Sequence, residues 1–174
     1  MCSSDLHYFL IRQLEQFAQL NAVGISLRET LDLQKVLDQT YQQVSRLIRS
    51  DHFYIALQNE DDNWEQSILV HHDRQITVNG SFQADDFSSW VIKNGRALNL
   101  DQENMHFAGR HHLMPPEPRP AAWLGVPLKT GDVVTGVMVL QRYKSGQSFS
   151  PWSQEVLLAI AGQVGAAVQN AHLD

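Results

Sequence analysis

The chain carries one cysteine in 174 residues, at position 2. A lone thiol excludes an intrachain disulfide and a multi-cysteine zinc site, and its place near the start of the chain makes thiol catalysis a poor prospect. Basic residues are also in deficit: 13 Lys and Arg against 19 Asp and Glu leave a formal charge of -6, with a pI near 5.7. No Lys/Arg cluster interrupts that balance, so there is no electropositive footprint for nucleic acid. Long apolar runs are missing as well. The densest, Gly136 to Leu140, is strand-sized, far from the ~20 residues a membrane-spanning helix requires. The first residues lack a basic start followed by an apolar stretch, and neither end shows a lipidation pattern, so the expected location is the cytoplasm. No nucleophile elbow and no ordered set of nucleophile, base and acid stands out, and the expectation is a protein that is not an enzyme.

What is present is ordinary globular composition, 43% apolar and 18% charged, enough to offset chain entropy by burial. The length suits one core, taken here as a single domain over residues 1–174. Helical spacing marks residues 6–48. Leu6, Leu10, Leu14 and Phe17 fall on one side of a helix. Leu33, Val36, Leu37, Tyr41, Val44, Leu47 and Ile48 form a second stripe, with Gln34, Lys35, Gln39, Gln42 and Arg46 turned mostly away. Asp32 is a candidate cap, and Ser26 to Glu29 reads as a capping box, so one bent helix and two helices both remain open.

After Asp51 the period becomes two, as Phe53, Ile55 and Leu57 alternate with Tyr54 and Ala56 in a half-buried strand. Polar residues 59–63 lead into a second strand, Trp64 to His71, and a weaker third covers Gln75 to Asn79. Ser88 to Asn94 reads as a short helix stopped by Gly95, and residues 96–101 return to extended chain. Residues 102–120 are irregular and contain Pro115, Pro116, Pro118 and Pro120. They are read as a lid. Ala122 to Leu128 and Val133 to Gln141, separated by Lys129 to Asp132, form the clearest hairpin of the central region, residues 52–141. Ser150-Pro151 opens a closing helix over residues 150–171, studded with Ala159, Gly162, Gly165 and Ala166.

Three strings together resemble the GAF domain family. They are Ala122-Trp123-Leu124-Gly125-Val126-Pro127-Leu128 followed by Gly131-Asp132 and Gly136 to Leu140; Trp90 to Arg96 followed by Leu98 and Asp101; and Phe149-Ser150-Pro151 with Ala161 to Val164 and Val168 to Leu173. Leu33 to Tyr54 is similar to the family's opening helix and strand. The resemblance implies an α/β (α+β) fold, with a central antiparallel sheet of five or six strands. The N- and C-terminal helices would pack on one face, and a short helix with the lid would cover a ligand cavity on the other. It implies a non-catalytic, small-molecule-sensing module of a signal-transduction protein that passes ligand state through paired terminal helices, with an effector such as a kinase, cyclase or transcription regulator elsewhere in a longer protein. A ligand-free dimerisation scaffold is the alternative.

The family hosts varied ligands, so the site has to be argued from residues. The spaced Asn-Lys-Phe-Asp-Glu set of cyclic-nucleotide binders cannot be placed, and Cys2 lies outside the region where bilins attach. The cofactor is therefore left unknown and the ligand unidentified. Tyr54, Trp90, Asp101, Met105, His106, Phe107, Arg110, His111 and Trp123 are the expected ligand-binding residues by family position. Leu113 and Met114 could add apolar lining, and Arg119 could join Arg110 in pairing with an anion. Each also has a plainer reading: the apolar ones as core, Asp101 as a turn cap, the arginines as solvated loop. His106, His111 and His112, with His71 and His72 at a strand end, leave a haem or metal role as a lesser alternative. The Leu6 to Phe17 stripe predicts a homodimer, since one small domain would struggle to bury it.

Overall fold

The computed structural model describes residues 29–59, 63–71, 74–76 and 80–172, so the Leu6 to Phe17 stripe, Ser26 to Arg28 of the capping box and His72 lie outside them. Among the described residues four helices and seven strands follow in order: α1 Glu29–Leu47, β1 His52–Gln58, β2 Trp64–His71, β3 Arg74–Ile76, β4 Gly80–Ser81, α2 Asp86–Asn94, β5 Leu98–Leu100, α3 His106–Arg110, β6 Ala122–Thr130, β7 Val133–Arg142 and α4 Pro151–His172. The sheet runs β3-β2-β1-β7-β6-β5, with β4 also on β2, and its pairings are antiparallel.

All seven residues of the second helical stripe face the sheet. Val36, Leu37, Val44 and Ile48 are buried, and Leu33, Tyr41 and Leu47 pack at their margin. From α4 come Val156, Leu157, Ile160, Ala161, Val164, Ala167 and Val168. These two helices lie together on one face of the sheet, over Phe53, Ile55, Leu57, Ile68, Val70 and the even-numbered residues 122–128, 138 and 140. The period-3.6 and period-2 patterns meet here, each contributing its apolar side. The Ser150 hydroxyl accepts from the Ser153 amide at 3.1 Å and caps α4. Gly165 sits where α4 crosses β6 closely: a Cβ there would lie 2.4 Å from the Lys129 carbonyl oxygen.

Some boundaries shift. Asp32 falls inside α1, not ahead of it, because the helix already begins at Glu29. Of the weak third strand expected over Gln75 to Asn79, the first two residues fall in Arg74–Ile76 and residues 77–79 lie outside the described residues; a further short strand is Gly80–Ser81. The short helix starts at Asp86 because Asp85 caps it, accepting from the Ser88 amide at 2.8 Å, and Gly95 ends it with φ 62. β1 is buried on both faces, not half-buried, since Tyr54 and Ala56 are covered by a second apolar layer. The lid is partly ordered as α3, held by Ala108, which is 2% exposed.

Candidate functional site

The face of the sheet opposite α1 and α4 is organised in cross-strand rows. Register places Leu100, Trp123, Gln141, His52 and His71 side by side, and then Leu98, Gly125, Val139, Tyr54 and Leu69 in the next row. Residues directly opposite in antiparallel strands share a face, so each row presents its side chains to one side. Over these rows lies α2, through Phe87 and Val91, and beside it α3, through Ala108. The Trp123 and Phe87 rings meet edge to face at 5.4 Å.

The Trp123 indole lies along β6 over Gly125, where a Cβ would come within 2.3 Å of the ring. Glycine is required there because the indole takes the place of the next side chain on that face. The cavity expected beneath the short helix and lid is therefore filled by side chains. Open space lies one row further on, in a groove of about 340 Å³ lined by Gln102, Met105, Arg119, Pro120, Ala121, Tyr143 and Ser145. Ala121 and Tyr143 follow the Trp123–Gln141 row, and the Ala121 amide bonds the Arg142 carbonyl at 2.8 Å.

Two polar features interrupt the apolar layer. The Trp123 Nε1–H is enclosed and has no acceptor among the described residues. Such a donor costs free energy unless a bound molecule satisfies it. Beneath the start of α2, the Tyr54 hydroxyl and the fully buried Ser88 hydroxyl share a short hydrogen bond, and Phe82 covers the Tyr54 ring at 5.5 Å. Burial, reinforced by the Asp85 charge, pushes the Tyr54 phenol far above its ordinary range, so it remains a neutral hydroxyl. Burial likewise raises the Asp85 carboxyl, against hydrogen bonds from Ser88 that favour its charged form.

The structure brings five of the nine expected residues together: Tyr54 and Trp123 inside the outer-face layer, with Trp90, Met105 and Phe107 packed against it. Trp90 and Phe107 meet edge to face at 5.6 Å, joining α2 to α3. Asp101 closes a turn, its Oδ1 accepting from the Glu103 and Asn104 amides at 2.9 and 3.1 Å. His106, Arg110 and His111 are exposed, and the His111 ring stacks on Phe107 at 4.2 Å. The lid chain is strapped to α2 where the Asp86 carboxylate accepts from the Met114 amide at 2.7 Å. Gln102, Ser88, Asp85, Gln141, Tyr143 and His52 belong to this face and were not anticipated. For Asp85 a signal existed, an acidic residue three before Ser88 in capping spacing; for His52 none did, because its neighbour is set by strand register. Among the described residues no group of three or more His, Cys, Asp or Glu is placed to hold a metal, and no helix is long and apolar enough to cross a membrane.

The GAF domain profile matches residues 32–168. Similar solved structures include the GAF domain of an Acinetobacter phosphoenolpyruvate-protein phosphotransferase, at TM-score 0.67 and 21% identity over 99% of this chain and 96% of that one. The corresponding domain from Coxiella burnetii follows at 0.65 and 15%, covering 93% and 94%. The PixJ GAF domain of Thermosynechococcus elongatus, in its blue-light-absorbing form, matches at 0.61 and 14%, covering 86% and 92%. No curated protein matches the chain in sequence.

Proposed function

The chain belongs to the GAF domain family, sensory and regulatory modules of signalling proteins, and from that premise we propose that it is a non-catalytic sensor of a small molecule bound at the outer-face groove. The observation that carries this reading is the open groove of about 340 Å³ where Met105, Arg119 and Tyr143 converge beside the outer-face layer. An occupant there would press on α3 and on β6, and β6 is the strand against which Gly165 seats α4. Ligand state would thereby reach the terminal helices.

Those helices are the proposed route out, and a homodimer through them is part of the reading. On α4 the face away from the sheet exposes Leu158, Ala159, Gly162 and Ala166, small enough for a second helix to approach. The effector would be a kinase, cyclase, transcription regulator or, as in the parent proteins of two structural neighbours, a phosphotransferase. A cytoplasmic setting fits this role. A ligand-free dimerisation scaffold is the second reading, favoured by the filling of the outer layer by Trp123 and Phe87.

A thermal-shift screen with nucleotides, haem, bilins and small organic acids separates the two. A true ligand at 100 times its Kd stabilises the folded state by ~2.7 kcal/mol, a rise of roughly 5–10 °C for a chain of this size. The rise is expected to shrink in Arg119→Ala and Tyr143→Phe. Uniform silence across the screen gives the scaffold reading, and a monomer in light scattering at high concentration removes the dimer.

A further inference from the structure

The row at the edge of the outer face ends in two histidines on adjacent strands. His52 and His71 are direct cross-strand partners, and their Nδ1 atoms are 3.0 Å apart, the rings crossing at 74°. Two readings fit that separation, a hydrogen bond between the rings and a shared metal ion. With metal–nitrogen bonds of ~2.1 Å, two ligands at a right angle stand about 3.0 Å apart, whereas tetrahedral ligands stand about 3.4 Å apart. The spacing therefore suits tetragonal geometry, which Cu²⁺ and Ni²⁺ adopt with nitrogen ligands, better than tetrahedral zinc.

We propose that His52 and His71 form a two-imidazole chelate for a divalent ion of tetragonal preference, Cu²⁺ or Ni²⁺. Both rings ligate through Nδ1 as the Nε2–H tautomer. Binding thus replaces the ring-to-ring hydrogen bond and shifts one tautomer, with no net change in protons. Around the pair, Asp51 precedes His52 in the chain and its Oδ2 accepts from the Tyr143 amide at 3.0 Å, and among the described residues no third His, Cys, Asp or Glu is placed to join the two rings at an ion. The Tyr143 ring lies 6.5 and 6.2 Å from those of His52 and His71, and its hydroxyl donates to Gln141 Oε1 at 3.1 Å. Burial and Asp51 raise the Tyr143 phenol, so it stays neutral and is not an anionic ligand. Remaining positions on the ion fall to water. The net charge of -6 favours cation uptake by the whole chain. The inference does not rest on the sensory reading.

The full chain is titrated calorimetrically with Cu²⁺, Ni²⁺ and Zn²⁺ at neutral pH. One equivalent of Ni²⁺ is expected to bind more tightly than Zn²⁺, with affinity falling at least tenfold in His52→Asn and in His71→Asn. The triple variant His106→Ala/His111→Ala/His112→Ala, altered only at exposed lid positions, should bind as the wild type does. Its Cu²⁺ electron paramagnetic resonance spectrum should show two equatorial nitrogens, a readout that does not depend on substituting the pair. Unchanged binding in both single variants, loss of binding in the lid variant, Zn²⁺ binding more tightly than Ni²⁺, or fewer than two nitrogens in the spectrum overturns the proposal.

Discussion

Gly162 and Gly165 lie three residues apart on one helix, and the same substitution is expected to have opposite signs at the two. Replacing an interior helical glycine with alanine is worth about 0.8–1 kcal/mol through backbone entropy. At Gly162 a new methyl group meets nothing within 4 Å, so Gly162→Ala should deliver that gain in full in dilute solution. At Gly165 the Cβ would stand 2.4 Å from the Lys129 carbonyl oxygen, 3.2 Å from its amide nitrogen and 3.3 Å from its carbonyl carbon. Those atoms belong to a strand hydrogen-bonded into the sheet and cannot rotate aside, so α4 must lift by about 1 Å from a core that includes Val164 and Val168. Overpacking of that kind costs ~1–3 kcal/mol, and the lifted helix also loses contacts with its neighbours. After the propensity gain, Gly165→Ala should still lose about 1–2 kcal/mol. For a chain of this length each kcal/mol moves Tm by ~2–4 °C. Calorimetry or urea unfolding of dilute protein should therefore show Gly162→Ala melting higher and Gly165→Ala melting lower than wild type. Two shifts of the same sign would refute the close approach of α4 to β6, and with it the route by which the groove reaches the closing helix.

Asp85→Ala should lose ~1 kcal/mol with the α2 cap, whereas Asp85→Asn, an equally good cap, should be nearly neutral at pH 7 in chemical denaturation. Because burial raises the Asp85 carboxyl, the folded state holds its proton more firmly than the unfolded state. Its contribution is present at low pH and is lost as pH rises from the ordinary carboxylate range through the raised value, and the Asn variant should lack that slope. Trp123→Phe relieves a donor that costs ~1–3 kcal/mol unpaired but leaves a gap, so its unfolding free energy should stay within ~1 kcal/mol of wild type. A loss of several kcal/mol would show that the indole N–H is satisfied in solution. Arg142 donates through Nε to the Arg49 carbonyl at 2.7 Å and stacks its guanidinium 4.4 Å from the centre of the Phe149 ring. Arg142→Met should cost ~1–3 kcal/mol by releasing both segments, measured by urea unfolding. Asp86→Ala should speed amide exchange at Met114 with little change in global stability, since it removes only the strap on the lid.

Much of this architecture was legible locally. The stripe from Leu33 to Ile48 and the run from Val156 to Val168 predicted two amphipathic helices because periodicity reports which side of an element is dry, whatever it packs against. Ser150-Pro151 and Gly95 marked their helix ends because capping is a matter of a few neighbouring backbone groups. The half-buried reading of β1 erred for the same reason: alternation of Phe53, Ile55 and Leu57 with Tyr54 and Ala56 shows one apolar face, but not that α2 and Trp123 cover the other.

The position of His52 opposite His71 shows where local reading ends. Gln58 pairs with Trp64 and Ala56 with Gln66, and continuing that register would set His52 against Val70; a one-residue shift between Ile55 and Ala56 sets it against His71 instead. A bulge depends on how the whole sheet twists and fills its two faces, and so does the volume left for the Trp123 indole over Gly125. The amino-acid order by itself determined the main helices, the hairpins and one dry face of each, since those follow from periodicity and turn chemistry within a few residues. Tertiary structure alone decided which polar side chains share a row and where space remains, since both depend on residues far apart in the chain competing for the same volume.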